Sequence, residues 1–138
     1  MSAYDQAIAK IKRTLGEPRK ILIVEDEDLT RSVLKGYFED NGCAVLEGGD
    51  GIKALTLFES NSDIDLIITD LRMPRMDGIE LIKTIRETNK SIPIIVLTGF
   101  PNYNDIQRIV SNGWVVMIGK PFNIDDIGSI FKSFFEGA

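Results

Sequence analysis

The sequence predicts an α/β protein: an open, doubly wound sheet of five parallel strands with helices on both faces. Two observations predict it. Short apolar runs alternate along the chain with stretches whose apolar residues recur at helical spacing. Those runs are also apolar nearly throughout rather than at every second position, which marks strands covered on both sides. Right-handed crossovers between such strands place the helices on both faces.

Each element has its own signal. Lys20–Glu25 (KILIVE) is a buried strand. Asp28 is placed to cap a helix that carries Leu29, Val33, Leu34, Tyr37 and Phe38 inward, and Asn41-Gly42 stops it. Cys43–Leu46 is the second strand. Asp50 opens a helix with Ile52, Leu55 and Phe58 inward. Ile64–Thr69 is the third strand, followed by a loop holding Pro74, Asp77 and Gly78, with Asp77 a turn or capping residue. Ile79–Thr88 is helical, with Ile79, Ile82 and Ile85 aligned. Pro93–Thr98 is the fourth strand, Asn104–Asn112 a short helix closed by Gly113, and Trp114–Ile118 the fifth strand. Ile124, Ile127, Ile130, Phe131, Phe134 and Phe135 then recur at helical spacing.

The chain has 138 residues, the size of one domain. Gly16-Glu17-Pro18 separates a leader, residues 1–18, from the domain proper, residues 19–138. The leader residues Tyr4, Ile8, Ile11 and Leu15 form a short helical seam, too short to be stable alone, which packs on the domain, packs on a second copy as a homodimer, or frays. Sixteen Lys and Arg against 21 Asp and Glu leave a net charge of −5, which excludes nucleic acid and anionic membrane as direct partners. Cys43 is the only cysteine, so no internal disulfide forms. There is no histidine, which removes histidine metal sites and histidine-based nucleophilic catalysis. The apolar runs are far shorter than the ~18 residues of a membrane span, and the N-terminus lacks a signal-peptide core. A cytoplasmic protein is expected.

Ligands of such sheets bind at the carboxyl ends of the strands. Those ends carry Glu25-Asp26, Asp70, Thr98 and Lys120. Carboxylates brought together repel, by about 4 kcal/mol per pair at 4 Å and an effective dielectric of 20. A divalent cation, a raised carboxyl pKa or an ion pair offsets this. Oxygen-only ligands suit Mg²⁺ or Mn²⁺. A carboxylate beside a metal, an ammonium and a hydroxyl is equipped to take a phosphoryl group.

The segments Glu25-Asp26, Ile67–Gly78 (IITDLRMPRMDG), Ile95–Gly99 (IVLTG) and Gly119–Phe122 (GKPF) together resemble the receiver domain of bacterial response regulators. The resemblance covers about residues 19–136. It implies a flavodoxin-like strand order of 2-1-3-4-5. It also implies that Asp70 accepts a phosphoryl group from a sensor histidine kinase or a histidine phosphotransfer protein. Glu25, Asp26, Asp70 and the Arg72 carbonyl are then the Mg²⁺ (or Mn²⁺) ligands, Glu25 through water. Thr98 and Lys120 contact the phosphoryl group, and Lys120-Pro121 is cis. The implied protein is not an enzyme acting on other molecules but a phosphoacceptor that catalyses its own phosphorylation and dephosphorylation. It signals to a downstream protein target through altered contacts.

The chain also departs from the family pattern. Met117 stands where many receivers carry an aromatic switch residue. Arg72 and Phe100 stand at positions that, in the family the chain resembles, flank the phosphoryl group; Phe100 either slows loss of the acyl phosphate or packs on the following helix. Trp114 is expected near the surface, either packing or contributing to a partner face. Nothing basic follows the last helix, so the chain taken as a whole protein is expected to act through protein contacts. Two alternatives compete. Asp26-Glu27-Asp28-Leu29-Thr30 matches the DxDxT signature of haloacid-dehalogenase-like phosphatases, with Asp26 as nucleophile and Asp28 as general acid. A receiver-like binding module without phosphorylation is the other.

Overall fold

A computed structural model describes residues 18–99 and 113–135, together with residues 2–4, 7, 104 and 107. The elements are β1 (Lys20–Val24), α1 (Asp28–Asp40), β2 (Ala44–Gly48), α2 (Gly51–Ser60), β3 (Ile64–Asp70), α3 (Gly78–Thr88), β4 (Ile94–Thr98), β5 (Val115–Gly119) and α4 (Ile124–Phe135). The strands form one parallel sheet in the order β2-β1-β3-β4-β5. The expected helix over 104–112, apart from residues 104 and 107, lies outside the described residues, as do Phe100 and most of the leader seam. Of that seam Tyr4 is described, and it is exposed. No helix among the described residues is long and apolar enough to cross a membrane.

Period-two alternation divides the core into two layers. Leu22, Val24, Ile67 and Val96 face Ala54 and Phe58 of α2 and Ile82 and Ile85 of α3. Ile21, Ile23, Ile68 and Leu97 face Leu34 and Phe38 of α1 and Ile127 and Phe131 of α4. Phe38 meets Phe131 edge-on, with ring centroids 5.3 Å apart. Each such side chain, fully buried, contributes about 1.5–3 kcal/mol before entropy is set against it. The three inner strands are buried along almost their whole length, whereas the edge strands β2 and β5 are mostly half-buried.

The structure corrects several details. Glu27, not Asp28, is the N-cap of α1, and no side-chain hydrogen bond caps it. Leu29 and Val33, expected inward, are exposed at 75% and 48%. They precede Thr30 and Leu34 by one residue, so their stripe is turned about 100° from the Leu34–Phe38 stripe that meets the sheet. Ile52 is exposed for the same reason, one residue past the buried Gly51. The second strand runs two residues further than expected, to Gly48.

Two caps follow the expectation. Asp50 accepts a hydrogen bond from Lys53 N at 2.9 Å, and Asp77 accepts one from Glu80 N at 2.9 Å. Trp114 is exposed and stacks on Phe134, with centroids 6.0 Å apart. Met117 pairs with Val96 and packs against the α2–α3 layer.

The Lys53 amide, and then the Arg75 guanidinium, hold the Asp50 carboxyl below its ordinary value of 3.8. A carboxyl depressed in the folded state contributes stability above its unfolded value and loses it as pH falls through the folded one. Asp50→Asn is therefore expected to melt slightly below the wild type at neutral pH. Thermal melts across pH are expected to show that gap closing below pH 3.8.

Candidate functional site

The register of the sheet builds the site. Val24 of β1 pairs with Thr69 of β3, Asp70 pairs with Leu97 of β4, and Thr98 pairs with Gly119 of β5. The residues that follow Val24 and Gly119, namely Glu25 and Lys120, therefore leave the sheet at the edge where Asp70 ends β3. Glu25, Asp26 and Asp70 can each bring a carboxylate oxygen within 4.8 Å of the others. Lys120 closes the cluster. Its Nζ lies 3.0 Å from Glu25 Oε2 and 3.0 Å from Asp70 Oδ2.

Glu25, Asp70 and Lys120 are each held by local contacts. Glu25 is 1% exposed. Its amide donates to Gly48 O at 3.0 Å, and its Oε1 accepts from Glu27 N at 3.1 Å. Asp70 Oδ1 accepts from Leu71 N at 2.7 Å. Lys120 N donates to Thr98 O at 2.8 Å, which fixes the end of β5 on β4, and the Lys120-Pro121 bond is cis. Thr98 is buried at the neighbouring strand end. Asp26 is exposed on the cluster's outer side, and Arg72 is exposed in the loop two residues beyond Asp70.

Burial pushes the Glu25 carboxyl above its usual range, and the charge of Asp70 adds to this. The Lys120 hydrogen bond and the Glu27 amide offset only part of the rise. Burial alone would lower the Lys120 ammonium, but hydrogen bonds and charge from Asp70 and Glu25 outweigh it and hold it above the ordinary lysine value. Three carboxylates and one ammonium leave a formal charge of −2, which one divalent cation neutralises. The donor set is oxygen only and fits Mg²⁺ or Mn²⁺.

Lys120→Ala is expected to melt below the wild type in buffer without divalent cations, because it leaves Glu25 buried against Asp70 with no counter-charge. Added Mg²⁺ is expected to raise the melting temperature of the variant by more than that of the wild type. Equal shifts in both proteins would mean that the ammonium does not screen these acids.

Asp28, the general acid of the phosphatase alternative, does not join the cluster. Its carboxylate is exposed and pairs with Arg31 at 2.6 Å. Arg31 was not singled out by sequence pattern, yet its Nη1 donates to the Glu25 carbonyl at 2.6 Å and its Nε lies 3.3 Å from Glu47. Arg75, also missed, pairs with Asp50 at 2.7 Å. Neither contact has a signal in spacing, since both depend on where loops turn. A groove of about 560 Å³ opens beside the cluster, lined by Glu27, Thr30, Gly99, Lys120, Pro121 and Phe122.

Comparisons with known proteins agree with this geometry. The family model for the response regulator receiver domain matches residues 21–132. The transcriptional regulatory protein PdtaR of Mycobacterium tuberculosis is 38% identical over 111 residues, covering 80% of this chain and 53% of that protein. The chain thus spans about half the length of that relative. Sporulation initiation phosphotransferase F of Bacillus subtilis is 31% identical over 115 residues, covering 83% of this chain and 92% of that protein. Among solved structures, chemotaxis protein CheY4 of Vibrio cholerae superposes with a TM-score of 0.77 at 29% identity, covering 83% of this chain and 97% of that one. The phosphatase alternative loses its support, since the receiver family model matches residues 21–132 and Asp28, its general acid, pairs with Arg31 and lies outside the acid cluster. With the matched segment running from β1 through most of α4, the chain belongs to the response regulator receiver domains.

Proposed function

We propose that this protein is a phosphorylation-controlled signalling receiver whose acceptor is Asp70. The observation that carries the reading is the placement of the Asp70 carboxylate. It sits at the end of β3, nearly buried, with one oxygen fixed by Leu71 N and the other by Lys120 Nζ, beside Glu25 and Asp26. The donor is the phosphohistidine of a sensor histidine kinase or a histidine phosphotransfer protein. A carboxylate oxygen of Asp70 bonds to phosphorus as the phosphorus–nitrogen bond breaks, and the imidazole leaves with a proton. The product is an acyl phosphate.

Glu25, Asp26, Asp70 and the Arg72 carbonyl would hold Mg²⁺. When bound, the cation neutralises charge on the transferring phosphoryl oxygens. Lys120 supplies a second positive charge to the same oxygens, and the Thr98 hydroxyl donates to one of them. The same groups serve in hydrolysis, so the protein catalyses both its own phosphorylation and its own dephosphorylation. Output is a population shift. The phosphorylated state favours one arrangement of Thr98 and its neighbours, and that arrangement binds a downstream protein differently. Met117, on β5 beside Val96 and packed against the α2–α3 layer, takes the place of an aromatic reporter of that arrangement.

The test is intact mass after incubation with acetyl phosphate or phosphoramidate, with and without Mg²⁺. One added phosphoryl group per chain that requires Mg²⁺ is the expected result. No adduct from either donor would favour a receiver-like binding module.

A further inference from the structure

The loop between β3 and α3 is fastened from outside the acid cluster. Arg75 has φ +68°, a left-handed conformation that residues with a side chain seldom adopt. Its Nε and one Nη donate to Asp50 Oδ2 at 3.0 and 2.7 Å, joining positions 25 residues apart. The other oxygen of Asp50 is occupied in capping α2. The next residue presses on the same helix end, since a Cβ on Gly51 would fall 2.3 Å from Met76 O and 2.7 Å from Met76 Cβ. Two consecutive loop residues are thus pinned to the first turn of α2.

An ion pair with an exposed arginine contributes little to stability on its own. A strained backbone nevertheless persists only where its surroundings over-determine it, and such positions gather at functional sites. Here the strained residue lies three positions after Arg72 and five after Asp70. Groups that orient a metal ligand from behind commonly set its affinity.

We propose that Asp50 and Arg75 are positioning residues: their pair holds the β3–α3 loop so that the Arg72 carbonyl stands ready beside Asp70, and it thereby sets the affinity for Mg²⁺. This rests on the reading of the site given above and adds to it two residues that touch neither metal nor phosphoryl group.

The test is calorimetric titration of the unphosphorylated full chain with Mg²⁺. Asp50→Asn keeps a capping side chain but loses the charge. Arg75→Asn keeps a residue that tolerates positive φ but loses the guanidinium. Each is expected to weaken Mg²⁺ binding about tenfold, and the double variant no further than either single. Far-UV circular dichroism is expected to stay unchanged. Amide exchange over residues 71–77 is expected to quicken in both variants without metal, which a purely global effect would not confine to the loop. Wild-type affinity in the folded variants would overturn the positioning role and leave the receiver reading standing. Failure of the wild type to bind Mg²⁺ at all would overturn both. If Asp50→Asn does not fold, Arg75→Asn alone decides.

Discussion

Asp70→Asn is expected to take up no phosphoryl group under conditions in which the wild type gains one per chain. The substitution keeps the shape of the side chain and replaces the anionic nucleophile with a neutral amide. The loss is expected to be complete rather than partial: Glu25 is bound in like manner, by the Glu27 backbone amide and Lys120, but is buried more deeply, 1% exposed against 8% for Asp70. Asp26 stands on the exposed side. Intact mass of both proteins after acetyl phosphate treatment measures this, with Asp26→Asn as the companion. The companion is expected to lower uptake through the metal while leaving the label on Asp70. Label that survived Asp70→Asn and vanished in Asp26→Asn would move the acceptor to Asp26 and revive the phosphatase reading.

Gly78→Ala is expected to destabilise the fold by about 3 kcal/mol, at the upper end for overpacking by one methyl. A Cβ at Gly78 would lie 2.4 Å from the Asp70 carbonyl oxygen and 3.0 Å from Leu71 Cα. Both are backbone atoms, so no rotamer change relieves the clash. The Gly78 amide also donates to Leu71 O at 2.9 Å, which ties the start of α3 to the end of β3. The methyl must therefore either break this tie or push the Asp70 peptide, and phosphoryl uptake is expected to slow along with the loss of stability. Chemical denaturation measures the first and the rate of mass gain the second. Gly36→Ala is the control. It lies in α1 with nothing within 4 Å of the new methyl, and helix propensity is expected to make it neutral or stabilising.

Much of this was legible in the sequence, for a physical reason. A parallel sheet sends every strand's carboxyl end to one edge, so residues 25, 70, 98 and 120 could be grouped without knowing any distance. The caps at Asp50 and Asp77 were legible because capping is a local contest between a side chain and the next turn. What escaped were choices made by tertiary contact. The first long helix carries two apolar stripes, and only packing decides that Leu34 and Phe38 rather than Leu29 and Val33 meet the sheet. Arg31 on the Glu25 carbonyl and Arg75 on Asp50 depend on loop paths that no periodicity encodes. That Lys120 would divide itself between two acids, rather than pair with one, followed from the register of three strands together.

That shared lysine has a consequence for how the molecule is made. Lys120 is 95 residues downstream of Glu25 and 50 downstream of Asp70. During synthesis the acids on the first and third strands emerge well before the ammonium that screens them. Until the fifth strand leaves the ribosome, the growing sheet carries unshielded like charges at one end, and cations from the surrounding solution are the screen available to it. The last strand to arrive thus brings both a hydrogen-bonded edge and the counter-charge, which ties completion of the sheet to electrical completion of its upper rim.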